Sequence, residues 1–176
     1  SPYAASKAAS DFIIKSSYRT FGFPGIVTNC SNNFGPGQNA EKLIPTIVNS
    51  LADGCKIPIY GTGQNIRDWL FVDTHVAYLE AIMSSGQPGK SYLIGGDMEL
   101  TNLDLLARIH AIFSHRRPNQ AQAFEETFEF VTDRLGHDRR YAIDTSRLNL
   151  HFPEVKGVKF DRALGETVDF YLADNN

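Results

Sequence analysis

Tyr3 and Lys7 stand four residues apart in the opening stretch SPYAASKAAS. On a helix that spacing puts both side chains on one face. A phenol and an ammonium presented together suit general-base work on a hydroxyl, because a nearby cation favours the phenolate. Seven tyrosines and seven lysines in 176 residues give about 0.3 such pairs by chance, so spacing alone leaves coincidence open. The flanks add weight. Pro2 suits a first helical turn, and Ala4, Ala5, Ala8 and Ala9 allow backbone or a cofactor to approach closely.

Three other stretches carry chemical possibilities. GTGQNIR at 61–67 begins like a phosphate-binding glycine loop, but Ile66 stands where the third glycine would be, so it reads mainly as a turn. Arg67 could grip a diphosphate with two parallel hydrogen bonds, or pair with Asp68 or Asp73. SNNFGPG follows an apolar run, where the carboxyl ends of strands in open α/β sheets receive ligands. Asn32 and Asn33 offer amides there, although composition alone favours a plain turn. DRLGHDRRY at 133–141 is either a solvated loop or an anion clamp. His75, His110 and His151 are scattered, and no metal site is expected.

These groups need elements to hold them. Ser1 is a helix cap, and a helix is expected from Tyr3 to Phe21, closed by Gly22. A strand follows at 26–30, then the turn-rich SNNFGPGQN. Pro45 opens a helix that Gly54 ends. Strands are expected at 57–60 and 69–72, with Asp73 capping a helix through Met83. A short strand at 92–94 precedes Gly95-Gly96. Thr101 and Asp104 form a capping-box variant opening LDLLARIHAIF. A strand at 128–131, a short helix after Asp144 and an amphipathic helix at 161–173 complete the chain, with 116–126 as its most exposed loop. Strands alternating with helices argue an α/β fold.

The bulk properties suit one globular unit over residues 1–176. The net charge of −3 gives no electrostatic case for nucleic acid. No run is apolar enough to cross a membrane, and no signal peptide is present. Cys30 and Cys55 form no CxxC pair and read as buried thiols of a reducing, cytoplasmic compartment.

The stretches SPYAASKAASD, CSNNFGPGQNAEKLIP, PIYGTGQNIRDWLFVDTH and DRLGHDRRYAID, in this order, resemble the extended short-chain dehydrogenase/reductase superfamily of nucleotide-sugar enzymes. More narrowly they resemble its dTDP-glucose 4,6-dehydratases. The likeness covers essentially the whole chain. Leu135 and Leu93 depart from it, standing where that family usually has proline and asparagine.

The resemblance implies the carboxyl-terminal part of an NAD-binding Rossmann fold with a smaller mixed α/β substrate lobe. Tyr3 would take the proton of a sugar C4 hydroxyl as hydride passes to NAD. Lys7 would bind the nicotinamide ribose, with Asn33 beside the cofactor. Asn32, Lys42, Leu43, Pro58, Ile59 and Tyr60 would meet the nucleotide sugar. Arg67, Asn102, Asp133, Arg134, Gly136 and His137 would hold its diphosphate, ribose and base, and Tyr171 would close the site. A homodimer is implied through the Tyr3–Lys7 helix. The family's glycine-rich loop and Thr-Asp-Glu motif would precede Ser1, so the chain alone is expected to be inactive. An epimerase or decarboxylase of the same superfamily, or a non-catalytic binding fragment, is the competing reading.

Overall fold

The computed structural model describes residues 1–133 and 135–174. Helix α1 spans Pro2–Phe21, with Ser1 Oγ accepting the Ala4 N–H at 3.2 Å and the chain turning left-handed at Gly22. It runs back along strand β1 (Val27–Cys30), and Asn29 of that strand donates to Asp11 of the helix at 3.1 Å. Strand β2 (Asn32–Phe34) follows at once, then α2 (Leu43–Asp53), β3 (Ile57–Tyr60), β4 (Ile66–Phe71) and α3 (Val72–Ser85). Next come β5 (Ser91–Ile94), β6 (Glu99–Thr101) and α4 (Asn102–Arg116). A 3-10 turn at Phe124–Glu126 leads to β7 (Phe128–Val131), β8 (Arg140–Tyr141), α5 (Ser146–His151) and α6 (Phe160–Asp174).

The strands form three small sheets. β1 pairs parallel with β5, and β3 pairs parallel with β7. β4 is the hub of the third: it pairs parallel with β2 and β8 and antiparallel with β6. Two apolar clusters result. The larger packs α2, α4 and α6 on β3 and one face of β4, around Phe34, Ile44, Leu105, Phe113 and Leu164. The smaller joins α3 and α5 to β5 through Tyr78, Ile82, Tyr92, Ile94 and Phe152. The architecture is mixed α/β.

Local signals explain much of this. The Thr101–Asp104 capping box is complete in both directions, at 3.0 and 3.4 Å. Asp68 was weighed above as a partner for Arg67. It is instead buried, accepting the N–H groups of Gly96 at 3.0 Å and Met98 at 2.9 Å. Successive strand residues face opposite ways, which separates it from Arg67. The Gly95-Gly96 turn fits this clamp tightly: a Cβ on Gly96 would lie 1.8 Å from the Trp69 carbonyl oxygen.

Several expectations are corrected. Asn32–Phe34 is a strand, held by pairing with Trp69–Phe71 despite its turn-like composition. β4 begins at Ile66 rather than at Trp69. Asp73 lies within the first turn of α3 rather than capping it. Cys30 is only partly buried and Cys55 is exposed, just beyond the Gly54 turn that ends α2. No helix among the described residues is long and apolar enough to cross a membrane.

Candidate functional site

A cleft of about 480 Å³ opens on the exposed side of β3 and β4. Each wall has a local cause. β3 alternates, so Ile57 and Ile59 enter the core while Pro58 and Tyr60 face outward. Pro58 and Tyr60 line the cleft, together with part of Ile57, whereas Ile59 lies wholly in the core. Arg67 and Trp69, two apart on β4, share its cleft face. Asn32, paired with Trp69, joins them. Lys42 and Leu43 enter from the start of α2, and Asn102 from the start of α4. His137 comes from the 133–141 loop.

Thus Asn32, Lys42, Leu43, Pro58, Tyr60, Arg67, Asn102 and His137 come together from six separate segments. Asp133 sits behind His137, its carboxylate 2.6 Å from His137 Nδ1. Gly61, between β3 and β4, bears on this pair. Its φ is +58°, and a Cβ there would stand 2.9 Å from Asp133 Oδ2. Gly136 lies in the turn between Asp133 and His137. Arg134 lies outside the described residues.

Three features of the cleft were not foreseen. Glu41 lines it and pairs with Lys42 at 3.2 Å. Thr46 lines it from α2. Trp69 is 5% exposed and its indole N–H is buried with no partner among the described residues. The period-two spacing from Arg67 was the signal that could have placed Trp69 on this wall. Tyr171, expected to close the site, is buried in the larger core. Its hydroxyl donates to the Gln38 carbonyl at 2.6 Å, bracing the 35–38 loop from below.

A second cluster forms at the carboxyl end of β1. Asn33 Oδ1 meets His75 Nδ1 at 2.8 Å, and Asn33 Nδ2 donates to the Ser31 carbonyl at 3.2 Å and Cys30 Sγ at 3.3 Å. Since Oδ1 only accepts, the His75 ring must carry its proton on Nδ1. Burial pushes the His75 imidazole below its ordinary pKa. Ser31 Oγ and Gln38 Oε1 are buried here without partners among the described residues.

Tyr3 and Lys7 lie in the first turns of α1, exposed and on one face, and neither lines the cleft. α1 runs antiparallel to β1: Asp11 meets Asn29, and Ile14 lies beside Gly25.

A cavity of about 500 Å³ between the two cores is slightly larger than the cleft, and several polar groups in and beside its wall pair with one another. Tyr78 donates to Asn149 at 2.6 Å, and Thr145 Oγ1 donates to Asp97 at 2.6 Å. The cleft instead gathers the Lys42 ammonium, the Arg67 guanidinium, the Asn32 and Asn102 amides and the Tyr60 phenol in its walls. No cluster of three or more metal-ligating side chains exists among the described residues.

The family model described as GDP-mannose 4,6 dehydratase matches residues 1–161. A dTDP-glucose 4,6-dehydratase of Haemophilus influenzae is 42% identical over the whole chain, which covers 53% of that protein. The structure of dTDP-glucose 4,6-dehydratase from Bacillus anthracis in complex with NAD superposes with a TM-score of 0.90 at 40% identity, over 99% of this chain and 53% of that one. DesIV, the dTDP-glucose 4,6-dehydratase of Streptomyces venezuelae with NAD and TYD bound, gives 0.89 at 37% identity, over 98% of this chain and 51% of that one. The chain spans about half the length of each of these relatives.

Proposed function

Because this chain belongs to the GDP-mannose 4,6 dehydratase family, we propose that the protein carrying it is an NAD-dependent nucleotide-sugar dehydratase. It would convert dTDP-glucose to dTDP-4-keto-6-deoxy-glucose. The observation that carries the reading is the convergence of Asn32, Lys42, Tyr60, Arg67, Asn102 and His137 on one cleft. Arg67 and Lys42 match the charge of a diphosphate. Tyr60 offers an aromatic face to a base, and Asn32 and Asn102 offer amides to hydroxyls and ring edges. The relatives of 37–42% identity described above are named for dTDP-glucose. They favour it over the mannose nucleotide of the family's name, and over the epimerase or decarboxylase reading.

The polar groups at the end of β1 fit a nicotinamide cofactor. Ser31 Oγ and Gln38 Oε1 are buried there with no hydrogen-bond partner among the described residues. Lys7 and Asn33 would hold the ribose and carboxamide side of NAD, which when bound accepts hydride from the sugar. Tyr3 would receive the C4 hydroxyl proton. On this reading residues 1–176 are one unit, the end of a Rossmann domain interleaved with a sugar-nucleotide lobe. Arg134, Asp133 and Gly136 would complete the grip on the diphosphate side, and Tyr171 acts from beneath. The exposed apolar side chains of α1, Phe12, Ile13 and Phe21, support a homodimer through that helix. The thiols Cys30 and Cys55, both free, are in keeping with a cytoplasmic protein.

The test has two arms. Thermal shifts of the protein with dTDP, UDP and GDP should rank dTDP first, and Arg67→Ala should weaken dTDP about tenfold. The 4-keto product should form from dTDP-glucose with NAD, and Tyr3→Phe should abolish it without changing dTDP affinity. A preference for GDP, or Arg67→Ala binding like the parent, would overturn the assignment.

A further inference from the structure

A separate cleft of about 290 Å³ crosses β5 between α1 and α5, and it shares no lining residue with the nucleotide cleft. Lys15 reaches it from α1, Lys90 from the turn before β5, and Arg147 and His151 from α5. Asp144 is the one carboxylate in its wall. Three permanent cations against one acid leave two positive charges around the opening, with histidine neutral.

The acid does not quench them. Asp144 Oδ1 is engaged by the Ser146 N–H at 2.9 Å and hydroxyl at 2.6 Å. Elsewhere Arg108, Arg116, Arg140 and Arg162 each find a carboxylate within 2.8 Å. Among the described residues the side chains of Lys15, Lys90 and Arg147 form no ion pair and no hydrogen bond. Lys15 Nζ has only the Phe12 ring, at 5.9 Å. Ser91 Oγ is buried in the same wall with no partner among the described residues. His151 is fixed by its Nδ1 donating to the Arg147 carbonyl at 2.8 Å and by its edge contact with Tyr92, centroids 6.2 Å apart. That leaves Nε2 as the ring's remaining polar atom.

Cations gathered round one opening repel unless an anion joins them. We propose that this cleft binds a phosphomonoester, the Arg147 guanidinium gripping two phosphate oxygens while Lys15 and Lys90 supply point charges. The planar fork of arginine suits two oxygens of one phosphate, and a lysine ammonium needs no fixed direction. Ser91 would gain the partner it lacks. The volume falls at the small end for ligand sites, which run from about 300 Å³, and limits the ligand to a phosphate with a sugar-sized body.

Isotope-labelled protein carrying this chain can be titrated with inorganic phosphate and with ribose 5-phosphate at constant ionic strength, with sodium chloride as the matched control. The amide signals of Ser91, Tyr92 and Arg147 should shift saturably, with ribose 5-phosphate binding at least fivefold tighter than phosphate. Signals of Arg67 and Asn102 report the nucleotide cleft separately. Arg147→Glu should weaken binding tenfold or more. The milder Lys15→Gln, on an exposed helix face, should weaken it about threefold, and Arg162→Gln should leave it unchanged. Shifts confined to Arg67 and Asn102, shifts that chloride reproduces, or equal affinity for the two phosphates would overturn the proposal.

Discussion

Asp68→Ala is expected to cost more than any single surface change, although Asp68 touches no ligand. Its carboxylate is 1% exposed and accepts two backbone N–H groups, from Gly96 and Met98. A hydrogen bond to a charged group contributes about 1.5–3 kcal/mol, and a buried donor left without its acceptor costs a similar amount. With some relaxation of the loop, Asp68→Ala should remove about 3–5 kcal/mol. The unfolding entropy is about 2.1 cal/mol/K per residue, or about 0.4 kcal/mol/K for a chain of 176 residues. The melting temperature should therefore fall by about 8–13 °C. Asp68→Asn separates charge from shape: Oδ1 can accept one N–H, but Nδ2 then faces the other donor. Half the loss or more should remain. Urea denaturation followed by tryptophan fluorescence reads both variants, because the chain's one tryptophan, Trp69, adjoins the clamp. An Asp68→Ala protein within 1 kcal/mol of the parent would refute the argument that this carboxylate fixes the β4–β6 crossing.

Gly96→Ala should be severely destabilising, since its Cβ would meet the Trp69 carbonyl at 1.8 Å and backbone cannot yield as a side chain can; recovery of folded protein from expression checks this. His75 is held below its ordinary pKa, so the unfolded chain binds protons that the folded chain does not. Stability should then fall as pH drops below about 6.5 towards the lowered folded value, and His75→Asn should flatten that part of the pH–stability curve. Glu99 is held below the usual carboxylate range by its hydrogen bonds from Arg140. Its help to β8 should be present above that range and vanish as pH falls through the lowered value, read as faster exchange of the Tyr141 amide. Glu99→Gln should give the fast exchange at neutral pH.

How much of this was legible in the sequence depends on the range of the interaction. Signals within one turn were clear: Ser1, Gly22, Gly54 and the Thr101–Asp104 box all mark helix ends that the structure contains. β2, β6 and β8 were not visible. They are two or three residues long and exist because β4 offers them edges, which no local propensity encodes. Within 133–141 the local sequence did not show which side chains are tied down and which reach the cleft. Arg140 is tied to Glu99 in a strand, while His137 faces the cleft and rests on Asp133. The residues of the cleft span positions 32 to 137, and spacing could not have assembled them. Resemblance named most of them, and the pleat of β3 explains why Ile59 parts from Pro58 and Tyr60.

Among the described residues α1 has no buried side chain, and its one tertiary side-chain hydrogen bond is from Asn29 to Asp11. Most helical stability in proteins comes from tertiary packing of one face, which α1 largely lacks. Its opening should therefore be a local event, decoupled from global unfolding and fast in amide exchange. Tyr3 rides about two turns and Lys7 about one turn from that tether. Whatever covers the helix would stabilise it by RT ln(1 + [L]/Kd) and would raise the fraction of time the two side chains spend on an intact helix. Packing on the outer face of α1 is thereby linked, through a folding equilibrium, to the readiness of groups some distance along the same helix.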